Sequence, residues 1–138
     1  MATLFVDASF FISYILNMQE SGEMYLETIL ILSETKSEIH AIDIAEEMNF
    51  SKPSVSRAMK ILKEGGFIDI DDKSHIHLTD EGFKIANKMY ERHTNISKYL
   101  MLLGVSEKTA VEDACKIEHI ISEESFEAIK KHAKLLES

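Results

Sequence analysis

The chain has 138 residues, 45% of them hydrophobic and 28% charged, with one proline and five glycines. That composition gives one domain, or a small domain with a helical extension, enough apolar side chains for a core, and excludes disordered, collagenous and low-complexity chains. Fifteen basic against twenty-four acidic residues give a formal charge of −9, which as an average argues against the basic footprint of a nucleic-acid binder. The single cysteine, Cys115, leaves no intramolecular disulfide and suits a reducing cytosol.

Residues 1–17 hold the most apolar stretch, Leu4 to Val6 and then Phe10 to Leu16. No lysine or arginine precedes it and Asp7 interrupts it. It therefore fails as a signal peptide and is too short to span a membrane. Two readings stay open: an extra helix packed on the body, or sequence translated ahead of a true start at Met18.

From there the spacing predicts a mostly buried first helix over residues 22–34, with Met24, Tyr25, Ile29, Leu30 and Leu32 as its apolar side chains. Ile42, Ile44, Ala45 and Met48 mark a short second helix, and Asn49-Phe50-Ser51 a tight connection. Ser51 is a good N-cap, and Pro53 falls in the first turn, where its missing N–H costs nothing. A third helix is expected from about Lys52 to Glu64, with Val55, Met59 and Leu62 inward and Gly65-Gly66 as its stop. The period then changes. Phe67, Ile68 and Ile70, followed by Ile76 and Leu78, predict a β-hairpin around a four-residue turn, Asp71 to Ser74. Thr79 caps a long helix to about Leu103, ended by Gly104, and Ser106 and Ser122 open two more, reaching about Ile120 and Leu136. The expected fold is mainly α with a small β-hairpin wing.

Two short helices joined by a tight turn and followed by a hairpin form the winged helix-turn-helix order. In that geometry the third helix enters the major groove. The residues that would meet DNA are Ser51, Lys52, Pro53, Ser54, Ser56, Arg57 and Lys60. Hydroxyls and the proline ring suit base edges and thymine methyls, and Arg57 suits guanine. Charge is also polarised. Residues 51–63 carry Lys52, Arg57, Lys60 and Lys63 with no acidic side chain, whereas residues 18–50 carry eight acidic side chains against Lys36 alone. A basic helix on an acidic body answers the objection raised by the net charge. The wing tip, with Asp71 and Asp72 beside Lys73, is a poor phosphate contact.

Cys115, Glu118 and His119 stand at i, i+3 and i+4, which places thiol, carboxylate and imidazole on one stripe of the fifth helix. Such a stripe suits a transition metal. Taken alone, the triplet reads first as a buried cysteine beside a solvated Glu-His pair. Met24 and Glu27, at i and i+3 on the first helix, read alone as core packing and as surface. His75 and His77 read as wing surface, and His40 and His132 have no partner close in sequence.

Glu23-Met24-Tyr25-Leu26-Glu27, Ile44-Ala45-Glu46 with Pro53-Ser54-Val55-Ser56, Leu78-Thr79-Asp80-Glu81-Gly82, and Asp113-Ala114-Cys115-Lys116-Ile117-Glu118-His119 together resemble the metal-dependent repressors of the DtxR/MntR family. The resemblance covers about residues 20–136. It implies that Met24, Cys115, Glu118 and His119 occupy the regulatory site of the iron-responsive branch, and that Glu27 and His93 match ligands of the manganese-responsive branch. Of the iron branch's ancillary site only His93 is matched, since the other two positions hold Ser97 and Val111. It further implies a divalent transition metal, with Fe(II) favoured by the soft donors Met24 and Cys115 and Mn(II) as the second candidate. The implied partners are a second copy of the chain and double-stranded DNA with a palindromic operator, with no membrane partner and a cytoplasmic location. The expected organisation is an N-terminal extension over residues 1–17, a winged helix-turn-helix over 18–79, and a helical metal-binding and dimerisation part over 80–138, in the short form without an SH3-like domain.

Four functions compete. A metal-activated repressor accounts for both the basic helix and the ligand stripe. A winged-helix regulator of another signal, with a vestigial metal site, accounts for the first alone. A metalloenzyme needs an open coordination position with an acid or base beside it, which no residue here supplies, so catalysis is not expected. A helical interaction module leaves the basic helix unexplained.

Overall fold

The structure, a computed structural model, describes residues 19–138, so the extension over residues 1–17 lies outside the described residues. The described chain forms two compact units, residues up to Ala86 and Asn87–Ser138. The first holds helix α1 (helical over 19–33), α2 (Ala41–Met48), α3 (Lys52–Glu64) and the hairpin strands β1 (Ile68–Ile70) and β2 (Ile76–Leu78). Helix α4 (Asp80–Leu102) begins in the first unit and continues into the second, where α5 (Glu107–Ile117) and α6 (Glu123–Glu137) follow.

Local chemistry fixes most of these ends. Ser51 caps α3 by accepting the Ser54 N–H, and Ser106 and Ser122 do the same for Thr109 and Ser125. At α2 the Asp43 carboxylate accepts the His40 N–H at 2.8 Å, and Lys36 beside it holds that carboxyl below its ordinary value. Three helices end on a left-handed residue: Asn49 after α2, Gly66 after α3 and Gly104 after α4. Each ending closes the same pair of backbone bonds, as in Phe67 N–H to the Leu62 carbonyl (3.0 Å) and Gly66 N–H to that of Lys63 (3.1 Å).

The core of the first unit draws Leu26 and Ile29 from α1, Ile44 from α2, Val55, Met59 and Leu62 from α3, and Ile68 and Ile76 from the hairpin. Burying each such side chain contributes about 1.5–3 kcal/mol. The strands pair antiparallel, Ile68 with Leu78, Asp69 with His77 and Ile70 with Ile76. Alternation turns Asp69 and His77 to solvent and the isoleucines inward. The connection runs over residues 71–75, one residue longer than expected, because the Asp71 carboxylate accepts the N–H groups of both Lys73 and His75 at 2.9 Å and keeps His75 out of the strand. The second unit has a smaller core of Ile96, Ala114 and Phe126.

Two differences concern helix content. Helix α1 starts at or before residue 19 rather than at 22, and its buried side is Tyr25, Leu26, Ile29 and Leu32, with Met24 38% exposed. Helix α5 stops at Ile117 instead of reaching Ile120, and residues 118–120 form a turn.

Candidate functional site

In the first unit the capped start of α3 presents Ser51, Lys52, Pro53, Ser56, Arg57 and Lys60 to solvent, while Ser54 is half-buried. Capping engages the serines first: Ser51 Oγ accepts the Ser54 N–H at 3.3 Å, and the two hydroxyls lie 2.8 Å apart. Val55, Met59 and Leu62 pull one side of the helix inward, which leaves Arg57 and Lys60 on the opposite side. Among the described residues, no ion pair within 4.0 Å engages Lys52, Arg57, Lys60 or Lys63, although ion pairs form elsewhere in the chain, Lys36 with Asp43 among them. Four uncompensated cations on one helix suit a polyanion. Ile61, four residues after Arg57, is also exposed and shares its face. The signal for it was available, since position 61 is out of phase with the inward 55, 59 and 62.

A groove of about 490 Å³ runs beside this helix, with Ser56, Lys60 and Lys63 on one wall and Ile70 and Ser74 of the hairpin on the other. The wing is tied internally. Asp71 Oδ2 lies 3.0 Å from His77 Nε2, and that hydrogen bond, with the His75 N–H, lowers the Asp71 carboxyl to about 2. His77 is wing surface. His75 is not: its ring sits 3.5 Å from both Asp71 and Glu38 and packs edge-on against His40, with centroids 4.6 Å apart. The backbone bond from the Ile76 N–H to the Ile39 carbonyl, 2.8 Å long, brings the connection between α1 and α2 together with the wing.

On α1, Glu27 is buried, at 7% exposure, while Met24 is exposed. Both expectations drawn from the residues alone are thereby reversed, because the inward stripe falls on positions 25, 26, 29 and 32 and Glu27 lies beside it rather than opposite. A buried carboxylate is stable as an anion only against a compensating partner.

The second unit gathers the other donors. His93, on α4, places Nδ1 3.0 Å from Glu118 Oε2 and 3.7 Å from Cys115 Sγ. His119 Nε2 lies 3.4 Å from Glu118 Oε1. Glu118 is only 2% exposed and the His119 side chain 1%, whereas Cys115 is exposed. The triplet is therefore the reverse of a buried cysteine with a solvated Glu-His pair. Nor do its members share one helical stripe, since Glu118 caps α5 and His119 lies in the turn beyond it. A buried carboxylate touching two imidazoles, with a thiol near one of them, is a donor set that fits a divalent transition metal. Ser97 and Val111 add no donor: the Ser97 hydroxyl donates to the His93 carbonyl at 2.8 Å, and Val111 is exposed. His132 pairs instead with the Tyr99 hydroxyl at 2.9 Å.

Arg92, which the residue pattern did not single out, lies directly beside this cluster. Its side chain is 6% exposed. Nη1 donates to the carbonyls of Glu118 (3.0 Å) and Ile121 (2.9 Å), and Nη2 to Glu123 Oε2 (3.1 Å). The guanidinium lies 5.6 Å over the Phe126 ring. Arg92 also holds the Glu123 carboxyl below its ordinary value.

Comparison with known proteins matches both halves of the chain. Residues 17–76 match the model described as iron dependent repressor, N-terminal DNA binding domain, and residues 79–137 match iron dependent repressor, metal binding and dimerisation domain. An uncharacterized HTH-type transcriptional regulator of Methanocaldococcus jannaschii is 36% identical over 115 residues, covering 82% of this chain and 92% of that one. The transcriptional regulator MntR of Escherichia coli is 35% identical over 106 residues, covering 77% and 68%. Among solved structures, the manganese regulator SloR superposes with a TM-score of 0.74 at 32% identity, covering 82% of this chain. The present chain spans about half, 53%, of the SloR chain.

Proposed function

The chain belongs to the iron-dependent repressor (DtxR/MntR) family, and from that premise we propose that it is a metal-dependent transcriptional repressor that binds DNA as a homodimer. The DNA-binding part is assigned to residues 18–79 and the metal-binding and dimerisation part to residues 80–138. Duplex DNA meets Ser51, Lys52, Pro53, Ser54, Ser56, Arg57 and Lys60, and two-fold symmetry of the dimer asks for a palindromic operator. The location is cytoplasmic, where DNA is. No helix among the described residues is long and apolar enough to cross a membrane, and the named relatives are transcriptional regulators.

The observation that carries the metal half is the buried Glu118 carboxylate in contact with His93 and His119, with Cys115 near His93. We assign these four as ligands, and the family resemblance adds Met24 and Glu27 of α1 as candidates. A divalent cation bound there supplies positive charge where carboxylates and a thiolate converge. Glu27 and Glu118 add to the negative charge of an acidic body, so their neutralisation lowers the repulsion between that body and phosphates. Metal binding makes DNA affinity depend on metal to the extent that the metal prefers the arrangement of the helices that binds DNA better.

Fe(II) is the favoured metal and Mn(II) the second. The thioether of Met24 and the thiolate of Cys115 are softer than carboxylates, and intrinsic affinity rises from Mn(II) to Fe(II). Glu27 and His93 favour Mn(II), as do the names of the relatives. The test selects bound sequences from random duplex DNA anaerobically, then titrates that binding with Fe(II), Mn(II), Co(II), Ni(II) and Zn(II). A two-fold symmetric sequence bound only with metal is expected. Equal binding after chelation refutes metal dependence and leaves the winged-helix regulator with a vestigial metal site. Response to Mn(II) at lower free metal than to Fe(II) refutes the softness argument, and Cys115→Glu with Met24→Asp should move the preference toward Mn(II).

A further inference from the structure

We propose that Arg92 is a positioning residue for the metal centre, setting its affinity without being a ligand. The proposal rests on the assignment of Glu118 and His119 as ligands. A guanidinium stays protonated and offers no lone pair to a metal, so any influence has to pass through what it holds.

What it holds is the turn that carries both ligands. The last carbonyls of any helix lack partners within the helix. Helices α2, α3 and α4 settle theirs by a left-handed residue that folds the chain back. At the end of α5, Glu118 stays right-handed, with φ −57° and ψ −29°. The Ile117 carbonyl accepts the N–H groups of Ile120 and Ile121, and just beyond the helix the carbonyls of Glu118 and Ile121 accept Arg92 Nη1. The backbone under Glu118 and His119 is thus tied to α4 in addition to its own turn bonds. Neighbouring residues of α4 divide the work: His93 meets the Glu118 carboxylate and Arg92 meets its carbonyl. Glu123, in the first turn of α6, takes the other arm of the guanidinium, and Phe126 lies under its face.

Two effects of Arg92 on metal binding oppose each other. A buried cation beside a ligand repels a metal ion, and fixed ligands favour one. Glu123, paired at 3.1 Å, cancels most of the first, so the second wins. Lysine cannot substitute, because an ammonium lacks the planar fork that serves two carbonyls and a carboxylate together. Groups that orient metal ligands in this way are typically worth about 10–100-fold in metal affinity.

The experiment uses Co(II) as the probe on the full chain, with affinity from anaerobic competition titration and ligand geometry from the Co(II) visible bands and the thiolate-to-Co(II) absorption. Arg92→Lys should weaken Co(II) by about 10–100-fold and alter the spectrum at saturation, a change that loss of general stability does not produce. Glu123→Ala, at an exposed site, should fold and weaken Co(II) a few-fold. Unchanged affinity and spectrum in Arg92→Lys overturns the proposal, as does tighter binding. Should Arg92→Lys fail to fold, unchanged binding in Glu123→Ala overturns it. Wild-type protein that takes up no Co(II), or a His119→Gln variant that binds it as the wild type does, overturns the ligand assignment itself.

Discussion

Gly82, in the first turn of α4, is the position where one methyl group should do the most damage. A Cβ built there would lie 1.9 Å from the Phe67 carbonyl oxygen and 3.4 Å from Leu78 Cδ2. The oxygen belongs to backbone, so either the chain before β1 or the start of α4 must move. Three bonds meet at that junction: Thr79 N–H to the Phe67 carbonyl (3.1 Å), Thr79 Oγ1 to the Gly66 carbonyl (2.7 Å), and Gly82 N–H to Thr79 Oγ1 (3.2 Å). Losing the cap costs about 1 kcal/mol and the other two bonds about 1 kcal/mol each. Alanine returns up to about 1 kcal/mol through its better helix propensity. Gly82→Ala should therefore destabilise by about 2 kcal/mol, which for a chain of this length lowers Tm by roughly 6–10 °C. Gly22→Ala is the control. Its Cβ would meet only Leu62 Cδ2, at an ordinary 3.8 Å, in the helical stretch of α1, so it should stabilise by about 0.5–1 kcal/mol. Both substitutions remove similar freedom from the unfolded chain, so the contrast isolates the contact. Urea and thermal unfolding followed by circular dichroism give both values. If Gly82→Ala matches or exceeds the wild type, the close packing of α4 on the Phe67 carbonyl is wrong.

Arg57→Ala should weaken binding to a selected operator by about 1–3 kcal/mol and relax preference near one base pair, whereas Lys63→Ala should act uniformly and reduce the salt slope by about 1; unchanged affinity and selectivity in Arg57→Ala would show that α3 is not the reader. Asp71 is held at about 2 against an ordinary 3.8, so its contribution is complete above that ordinary value and disappears as pH falls toward about 2. Asp71→Asn should therefore lower Tm at neutral pH and converge on the wild type near pH 2, and a constant gap across that range would assign the effect to something other than its charge. His119→Ala should abolish metal-stimulated DNA binding while gel filtration still shows a dimer; retained stimulation removes His119 from the site.

The elements that carry their own signals were legible before any coordinates. Ser51, Pro53 and Gly66 mark both ends of α3, and the inward trio Val55, Met59 and Leu62 sets its phase, which also fixes Arg57 and Lys60 outward. Burial around the proposed ligands was not legible, because it depends on what packs against a residue rather than on its neighbours in sequence. Met24 and Glu27 exchanged their expected environments, as did Cys115 with Glu118 and His119. The end of α5 was hidden for a related reason. No glycine or asparagine stands there, and the group that holds the Glu118 carbonyl just beyond it, Arg92, is 26 positions away along the chain.

The bond between the Ile76 N–H and the Ile39 carbonyl has an evolutionary reading. It closes a ring of chain, residues 39–76, that contains α2, α3 and β1. The side chains that seal the ring, among them Ile44, Val55, Met59, Leu62 and Ile68, come from the inward side of each element. Arg57, Lys60 and Ile61 take no part in that seal, being exposed. Substitutions on the outer side of α3 can accumulate without opening the ring, and most surface changes of that kind alter stability by no more than about 0.5 kcal/mol. A lineage carrying this scaffold is therefore free to vary the surface proposed to read DNA while its fold stays under separate selection.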